Sequence, residues 1–327
     1  MRRLTTVSEI SPIVRSTRSL MAGGWRHRDI AGAVRDGTLD VVRRGWFMAA
    51  QDASALWPEG RHLAHVIAVA RDMTGTAVVS HESAGVLWGL PLYRHRPRRV
   101  HLTTRSPSRV SSGADVMRHV APLGAEDVVV RDGIRCTSLA RTVFDMTRTL
   151  PAEASVACAD AAERVMMLRG REWDEDARAA WRRSMCDRIK DSARARGIRQ
   201  ARWVTVFANG RAQLPGESVS RLQLARIGFP APELQVPVSA PGGRTYHVDF
   251  GLRGVRAWGE FDGKGKYLDE AMRRDVPLEQ VLLEEKQRED WIRGLTQWRF
   301  ARWSEEHSAT PQALAARLAS FSIHPPR

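Results

Sequence analysis

Four acidic residues and two lysines in the last third of this 327-residue chain have the types and spacing to manage a phosphate. Gly259 to Tyr267 reads GEFDGKGKY: Glu260 and Asp262 lie two apart, and Lys264 and Lys266 follow. The lysines stand out because the chain holds only two others, Lys190 and Lys286, against 47 arginines. In a strand, alternation points Glu260 and Asp262 to one face and Phe261 to the other. A turn near Gly254 brings Asp249, on the preceding strand, opposite Glu260, and Glu217 can join them from an earlier helix. Crowded carboxylates raise one another's pKa unless a cation sits among them. Hard oxygen donors suit Mg²⁺ or Mn²⁺, with Asp249, Glu260 and Asp262 as the expected ligands. Such an ion holds a phosphate, stabilises developing charge and activates water. A lysine ammonium can orient or deprotonate water where an always-charged guanidinium cannot. The candidate catalytic residues are therefore Glu217, Asp249, Glu260, Asp262, Lys264 and Lys266. A surface turn solvated by its own Lys and Asp is the plainer reading of GEFDGKGKY alone; Asp249 and Glu217 favour the metal site.

Residues 208–327 have the elements to position these groups. GESVSRLQLARIGFP reads as a helix with Val219, Leu222 and Ala225 along one face, stopped by Gly228 and Pro230. ELQVPVSA, RTYHVDFGL and VRAWGEFDG read as three strands, and helices resume at YLDEAMRRD and LEQVLLEEKQREDWIRGL. In the second strand, alternation groups Tyr246, Val248 and Phe250 on one face and His247 with Asp249 on the other. The order is α-β-β-β-α, without a phosphate-cradling glycine motif; GKGKY lacks the spacing of a P-loop.

Residues 1–56 predict a winged helix. SEISPIVRSTRSL reads as one helix and WRHRDIAGAVRDG as a second, with Ile30, Ala33 and Val34 inward and Gly37 as its stop. TLDVVRR and WFMAA form a hairpin around Gly45. Arg26, His27, Arg28 and Arg35 then lie on or beside the reading helix, and Arg43 and Arg44 tip the wing. Residues 57–207 alternate helical and strand patterns and predict an α/β region with a helical connector. TSLARTVFDMTRTLP is a helix with an Arg141–Asp145 pair one turn apart, and RRVHLTT is a strand. Tyr93 to Arg118 carries seven arginines against one acid; Arg96, Arg98 and Arg99 head this phosphate-contacting patch. His81 and Glu82 resemble a catalytic pair in print, but at a helix start they read as capping residues.

A net charge of +14 favours a polyanionic partner. The excess is uneven: 9 basic against 6 acidic residues in 1–60, 25 against 16 in 61–207, and 17 against 15 in 208–327. No segment approaches the roughly 18 apolar residues of a membrane span, and the amino terminus has no signal-peptide apolar run. Cys136, Cys158 and Cys186 suit neither a disulfide framework nor a zinc site, so free thiols and a cytoplasmic location are expected.

On Glu217 in ESVSRLQLARIGFP, Asp249–Phe250, EFDG and EKQREDWIRGLTQWRFARW, the carboxy-terminal region resembles PD-(D/E)XK nucleases of the very-short-patch-repair type. That resemblance implies a restriction-endonuclease-like fold, with Asp249 and Glu260 as metal ligands, Asp262 beside them and Glu217 as the helix-borne acid. Two departures stand: Asp262 occupies the position of the motif lysine, and the histidine that commonly follows DG is replaced by the neighbourhood of Lys264, Lys266 and Tyr267. On DIAGAVRDGTLDVVRRGWFMA, VVSHESAGVLWGLP and GIRCTSLARTVFDM, residues 1 to about 151 resemble AbiEi antitoxins of type IV toxin–antitoxin systems. This implies operator binding, autorepression and a nucleotidyltransferase toxin as partner. The expectation is an α+β, multidomain chain (winged helix, middle α/β domain, nuclease-like domain) that hydrolyses double-stranded DNA with Mg²⁺ or Mn²⁺, in toxin–antitoxin function or phage defence and without a membrane. The rival is a non-enzymatic autorepressor with a degenerate nuclease domain; an RNA-directed nuclease is the third reading.

Overall fold

Pro12 keeps the first twenty residues from forming the single helix their pattern suggests, because its ring supplies no N–H and clashes with a preceding turn. The computed structural model, which describes residues 6–105, 112–170, 172–263 and 277–326, breaks that stretch into α1 (Val7–Ile10), β1 (Arg15–Ser16) and α2 (Thr17–Ala22). Thr6 and Glu9 close a capping box on α1, and Ser16 accepts from Ser19 N–H to cap α2. Then come α3 (His27–Arg35), β2 (Leu39–Arg43) and β3 (Trp46–Ala49). Gly45, at φ +80°, makes the tight turn, and the small sheet runs β1–β3–β2. Helix, strand, two helices and a hairpin are the arrangement expected of a winged helix, with β1 as a third strand.

The molecule is α+β and multidomain. It divides into two units: Arg2–Cys158 with Ala179–Val206, and Ala159–Arg178 with Phe207–Arg327. The first unit continues through α4 (Ala50–Ala55), α5 (Pro58–Asp72), β4 (Val78–Val79), α6 (His81–Leu87), β5 (Val100–Thr104), β6 (Val116–Val120), β7 (Val128–Arg131), β8 (Ile134–Thr137) and α7 (Leu139–Thr149). Its five-stranded sheet is ordered β6–β5–β4–β8–β7. α6 packs on β5, α5 and α7. Gly85 lets it approach α7, since a Cβ there would sit 2.7 Å from the Met146 sulfur. The Arg141–Asp145 pair forms at 2.8 Å, buried, with Asp127 held between Arg141 and Arg188 at 3.3 and 2.7 Å. Leu150 and Pro151 end α7, and α8 (Ala152–Met167), the strand pair β9 (Leu168–Arg169) and β10 (Glu172–Trp173), α9 (Glu175–Asp191) and α10 (Ile198–Phe207) follow.

The second unit is built on α11 (Pro215–Arg226), β11 (Glu233–Ser239), β12 (Thr245–Leu252), β13 (Ala257–Asp262), α12 (Leu278–Thr296), β14 (Arg299–Ser304) and α13 (Pro311–Ala319). β14 is a fourth strand beyond the expected α-β-β-β-α order. The sheet runs β11–β12–β13–β14, antiparallel except for the parallel β13–β14 pair. A parallel partner needs a crossover, and α12 lies in it. On one face Leu224, Phe250, Phe261, Trp303, Leu314 and Leu318 form a core with α11 and α13. On the other, Val236, Val248, Trp258, Ile292 and Phe300 pack with α12. Gly216 and Gly259 lie flat beneath the Phe261 and Trp303 rings, where a Cβ would collide. α11 is buried almost all round: Leu224 is packed, Ala225 is exposed, and Arg221 Nη2 donates to both oxygens of buried Asp160 at 2.9 Å while its Nη1 donates to the Phe207 carbonyl. No helix among the described residues is long and apolar enough to cross a membrane.

Candidate active site

β12 and β13 pair from Leu252↔Ala257 to Phe250↔Gly259 and then part, while β13 continues beside β14 to Asp262↔Ser304. The next residue on each arm of this fork is an acid, Asp249 on β12 and Glu260 on β13. Asp249 holds the fork open. Its Oδ2 accepts the Phe261 N–H at 2.9 Å, a donor that β12 no longer bonds, and its Oδ1 accepts from Gln235 Nε2 at 3.2 Å. Alternation breaks at the same level. Leu234 and Phe250 pack with α11 and α13, but Val236 and Val248, two residues along, pack with α12. Gln235 between them has left-handed backbone, φ +51°. The expectation that Tyr246, Val248 and Phe250 share one face is therefore wrong: Tyr246 stays with Val248, and Phe250 goes to the other side.

Gln235 also joins Asp249 to Glu217, whose Oε2 lies 3.3 Å from the same Nε2 and accepts the Gln213 N–H at 2.8 Å. The Gln213 side chain in turn donates to Gln235 Oε1 at 2.9 Å. Burial and the Asp249 charge push the Glu217 carboxyl up to about 8, so it holds a proton at neutrality. Glu260 is 1% exposed and faces α12. Arg288 from α12 reaches its Oε1 at 2.6 Å, and Arg302 from β14 reaches its Oε2 at 3.1 Å. Burial pushes the Glu260 carboxyl above its ordinary value, and these guanidiniums pull against it. Arg302 further reaches Asp262 at 3.5 Å, Glu285 at 2.9 Å and Glu289 at 2.8 Å. Asp249 is thus linked to Glu217 through Gln235 and stands beside Glu260 at the fork, while Asp262 sits in the arginine network. Among the described residues the oxygens of these acids do not gather within 4.8 Å of one another. Lys264 and Lys266 lie outside the described residues.

The expected DNA-binding residues divide. Arg26, His27, Arg28 and Arg35 are exposed on or beside α3, with Arg28 3.5 Å from Asp29. Arg44, Arg96 and Arg98 are exposed and Arg99 is half-buried. Arg43 does not tip the wing: it is bound by Asp72 at 3.0 Å and Asp115 at 2.9 Å, because the β-bulge after Val41 turns it inward.

The chain matches no family model. Two proteins of Mycobacterium tuberculosis described as uncharacterized, MT2308 of strain CDC 1551 / Oshkosh and Rv2248 of strain ATCC 25618 / H37Rv, are each 33% identical to it over 130 residues. The match covers 40% of this chain and 44% of each relative, so it spans less than half of either.

Reasoning from sequence missed Gln235, Arg288 and Arg302. The Glu285, Arg288, Glu289 and Ile292 spacing on α12 was the available signal for the second; nothing in sequence marks Gln235. It also missed a histidine cluster in the first unit. Glu82 is not a cap but a buried carboxylate 3.0 Å from both His95 and His101, and His81 stacks on His119.

Proposed function

We propose that the second unit hydrolyses DNA phosphodiester bonds as a PD-(D/E)XK-like, divalent-metal-dependent nuclease, with the arginines of the first unit contributing to DNA binding. The observation that carries this reading is the fork, where Asp249 and Glu260 end the β12–β13 pairing and Glu217 is linked to Asp249 through one amide. An all-oxygen donor set in which burial, with the Asp249 charge added, keeps Glu217 protonated is of the chemical type that suits a hard dication. Of the expected ligands, Asp249 and Glu260 adjoin at the fork and would hold Mg²⁺ or Mn²⁺ once the acid oxygens close from the separation seen here, whereas Asp262 is paired with Arg302. The ion would supply an activated water and charge stabilisation at the phosphorus. Asp249 orients β13 through Phe261, and Gln235 keeps Glu217 and Asp249 in reach of each other. Arg288 and Arg302 lie where a guanidinium can exchange a carboxylate for a phosphate, since each presents a pair of oxygens to its planar fork. A bound DNA phosphate thereby frees the Glu260 oxygens. Lys264 and Lys266 remain the proposed water-positioning groups.

The non-enzymatic reading, an AbiEi-type autorepressor acting with a nucleotidyltransferase toxin, is favoured by one observation: both Glu260 oxygens carry guanidinium partners. Plasmid and linear DNA incubated with wild type and Asp249→Ala, in Mg²⁺, Mn²⁺ and EDTA, separates the two. Metal-dependent cutting by wild type that Asp249→Ala loses supports the nuclease. DNA binding by both proteins with no cutting in any metal establishes the repressor.

A further inference from the structure

Three histidines from three neighbouring pieces of the first unit's sheet meet on one face. Beyond β4, Ser80 donates its N–H to the His101 carbonyl at 2.9 Å, and the chain turns directly into α6, whose first residue is His81. His101 lies on β5 and His119 on the adjacent β6, where Thr103 pairs with His119 in parallel register. Alternation along β5 puts His101 and Thr103, and hence His119, on the same side. One ring nitrogen from each of the three lies within 4.8 Å of the others. His81 is 4% exposed, and the other two are half-buried.

The surroundings hold the rings in place. Ser80 Oγ lies 3.0 Å from His81 Nδ1 and accepts the Thr103 hydroxyl at 2.7 Å. Glu82 Oε2 is 3.0 Å from His101 Nδ1, and its other oxygen is 3.0 Å from His95 Nε2. His119 Nε2 is 3.2 Å from His101 Nδ1, and the His81 and His119 rings stack at 3.9 Å. His81 itself is kept at φ +52°, a backbone region rarely taken by a residue with a side chain and one that concentrates at functional positions.

We propose that His81, His101 and His119 form a binding site for a divalent transition-metal cation of the zinc type, with Glu82 as the positioning carboxylate behind His101. Imidazole sets of this kind select Zn²⁺, Co²⁺ or Ni²⁺ over Mg²⁺ and Mn²⁺, so the site is chemically distinct from the acid fork. Zinc–nitrogen bonds of about 2.0–2.1 Å in a tetrahedron separate the ligand atoms by about 3.3 Å, so binding requires the His81 and His119 rings to turn out of their stack until both lone pairs meet at the ion. Three protein ligands leave a fourth position for water. A metal takes each of the three imidazoles in its neutral form. A carboxylate bonded to a ligating histidine fixes its tautomer and orientation, the place Glu82 occupies.

The test uses full-length protein stripped with EDTA and desalted, titrated with Zn²⁺ by calorimetry and with Co²⁺ by visible absorption. One equivalent of Zn²⁺ and the intense visible bands of four-coordinate Co²⁺ are expected. His119→Ala, shown folded by circular dichroism, should weaken Zn²⁺ at least tenfold, and Glu82→Gln about 10–100-fold. Asp249→Ala should leave the zinc equivalent unchanged. If His119→Ala does not fold, His119→Cys, which keeps a zinc ligand, should bind Co²⁺ and add a thiolate charge-transfer band. No zinc uptake by wild type, unchanged affinity in folded His119→Ala, loss in Asp249→Ala, or no thiolate band in folded His119→Cys overturns the site.

Discussion

Glu217 is a buried acid whose proton is held by its surroundings, and that has a measurable sign. Its folded value of about 8 stands above the ordinary 4.5. Between those values the unfolded chain has released a proton that the folded chain keeps, so stability falls as pH rises from about 4.5 to 8. Urea denaturation across this range should show a loss on the order of a few kcal/mol, and Glu217→Gln should flatten it. A pH-independent profile in wild type would show that Glu217 is ionised throughout. Asp249→Ala should make the profile shallower but not flat, because burial, the larger cause of the Glu217 shift, remains when the neighbouring charge is removed. The opposition of Asp249 and Glu260 was legible from strand alternation and the turn near Gly254. The arginine partners of Glu260 were not, because Arg288 and Arg302 reach it from elements whose placement depends on the crossover.

Elements with a clear pattern were read well, α3, β2 and β5 from arginine-bearing stretches among them, whereas the two-residue β1 and the strand β14 were not read. β11 follows apolar–polar alternation and the first half of β12 does too, whereas β13 is buried almost throughout, β14 is RFARWS and β1 is two residues long. The faces of β11 and β12 could not be read through Gln235, since alternation assumes extended backbone at every residue. The wing makes a separable prediction. Arg44→Ala should weaken duplex DNA binding at unchanged stability. Arg43→Ala should lower stability, because it leaves Asp72 and Asp115 without a shared cation; equal effects on DNA would return Arg43 to the wing tip. α11 carries the strongest structural test. Asp160→Ala strands the buried Arg221 guanidinium and should cost about 3–5 kcal/mol in chemical denaturation, whereas Asp160→Leu with Arg221→Met should recover most of that. A single mutant as stable as wild type would show the pair to be dispensable.

At the scale of the whole molecule, charge is the property that sequence states most directly, and its use is testable by salt. With a net +14, affinity for duplex DNA should fall linearly on a log–log plot against salt. Replacing exposed Arg44, Arg96 and Arg98 together by Ala should lower the slope by up to about 0.9 per lost phosphate contact. An unchanged slope would place the binding surface elsewhere. The histidine cluster was illegible at every scale below this one: His81, His101 and His119 come together only through the order of the five-stranded sheet.

The parallel pairing of β13 with β14 also sets a timetable for synthesis. On a ribosome β13 emerges with only its antiparallel neighbour, and the Trp303 ring that covers Gly259 and Phe250 is translated after the whole of α12. Such non-local pairing forms late, since the loop it closes must be ordered before contacts repay it. A nascent chain therefore carries Asp249 and Glu260 long before it carries the strand whose Arg302 neutralises Glu260. Carboxylates of the unfinished unit stay solvated and apart, and the acid fork is assembled only as the last strand docks.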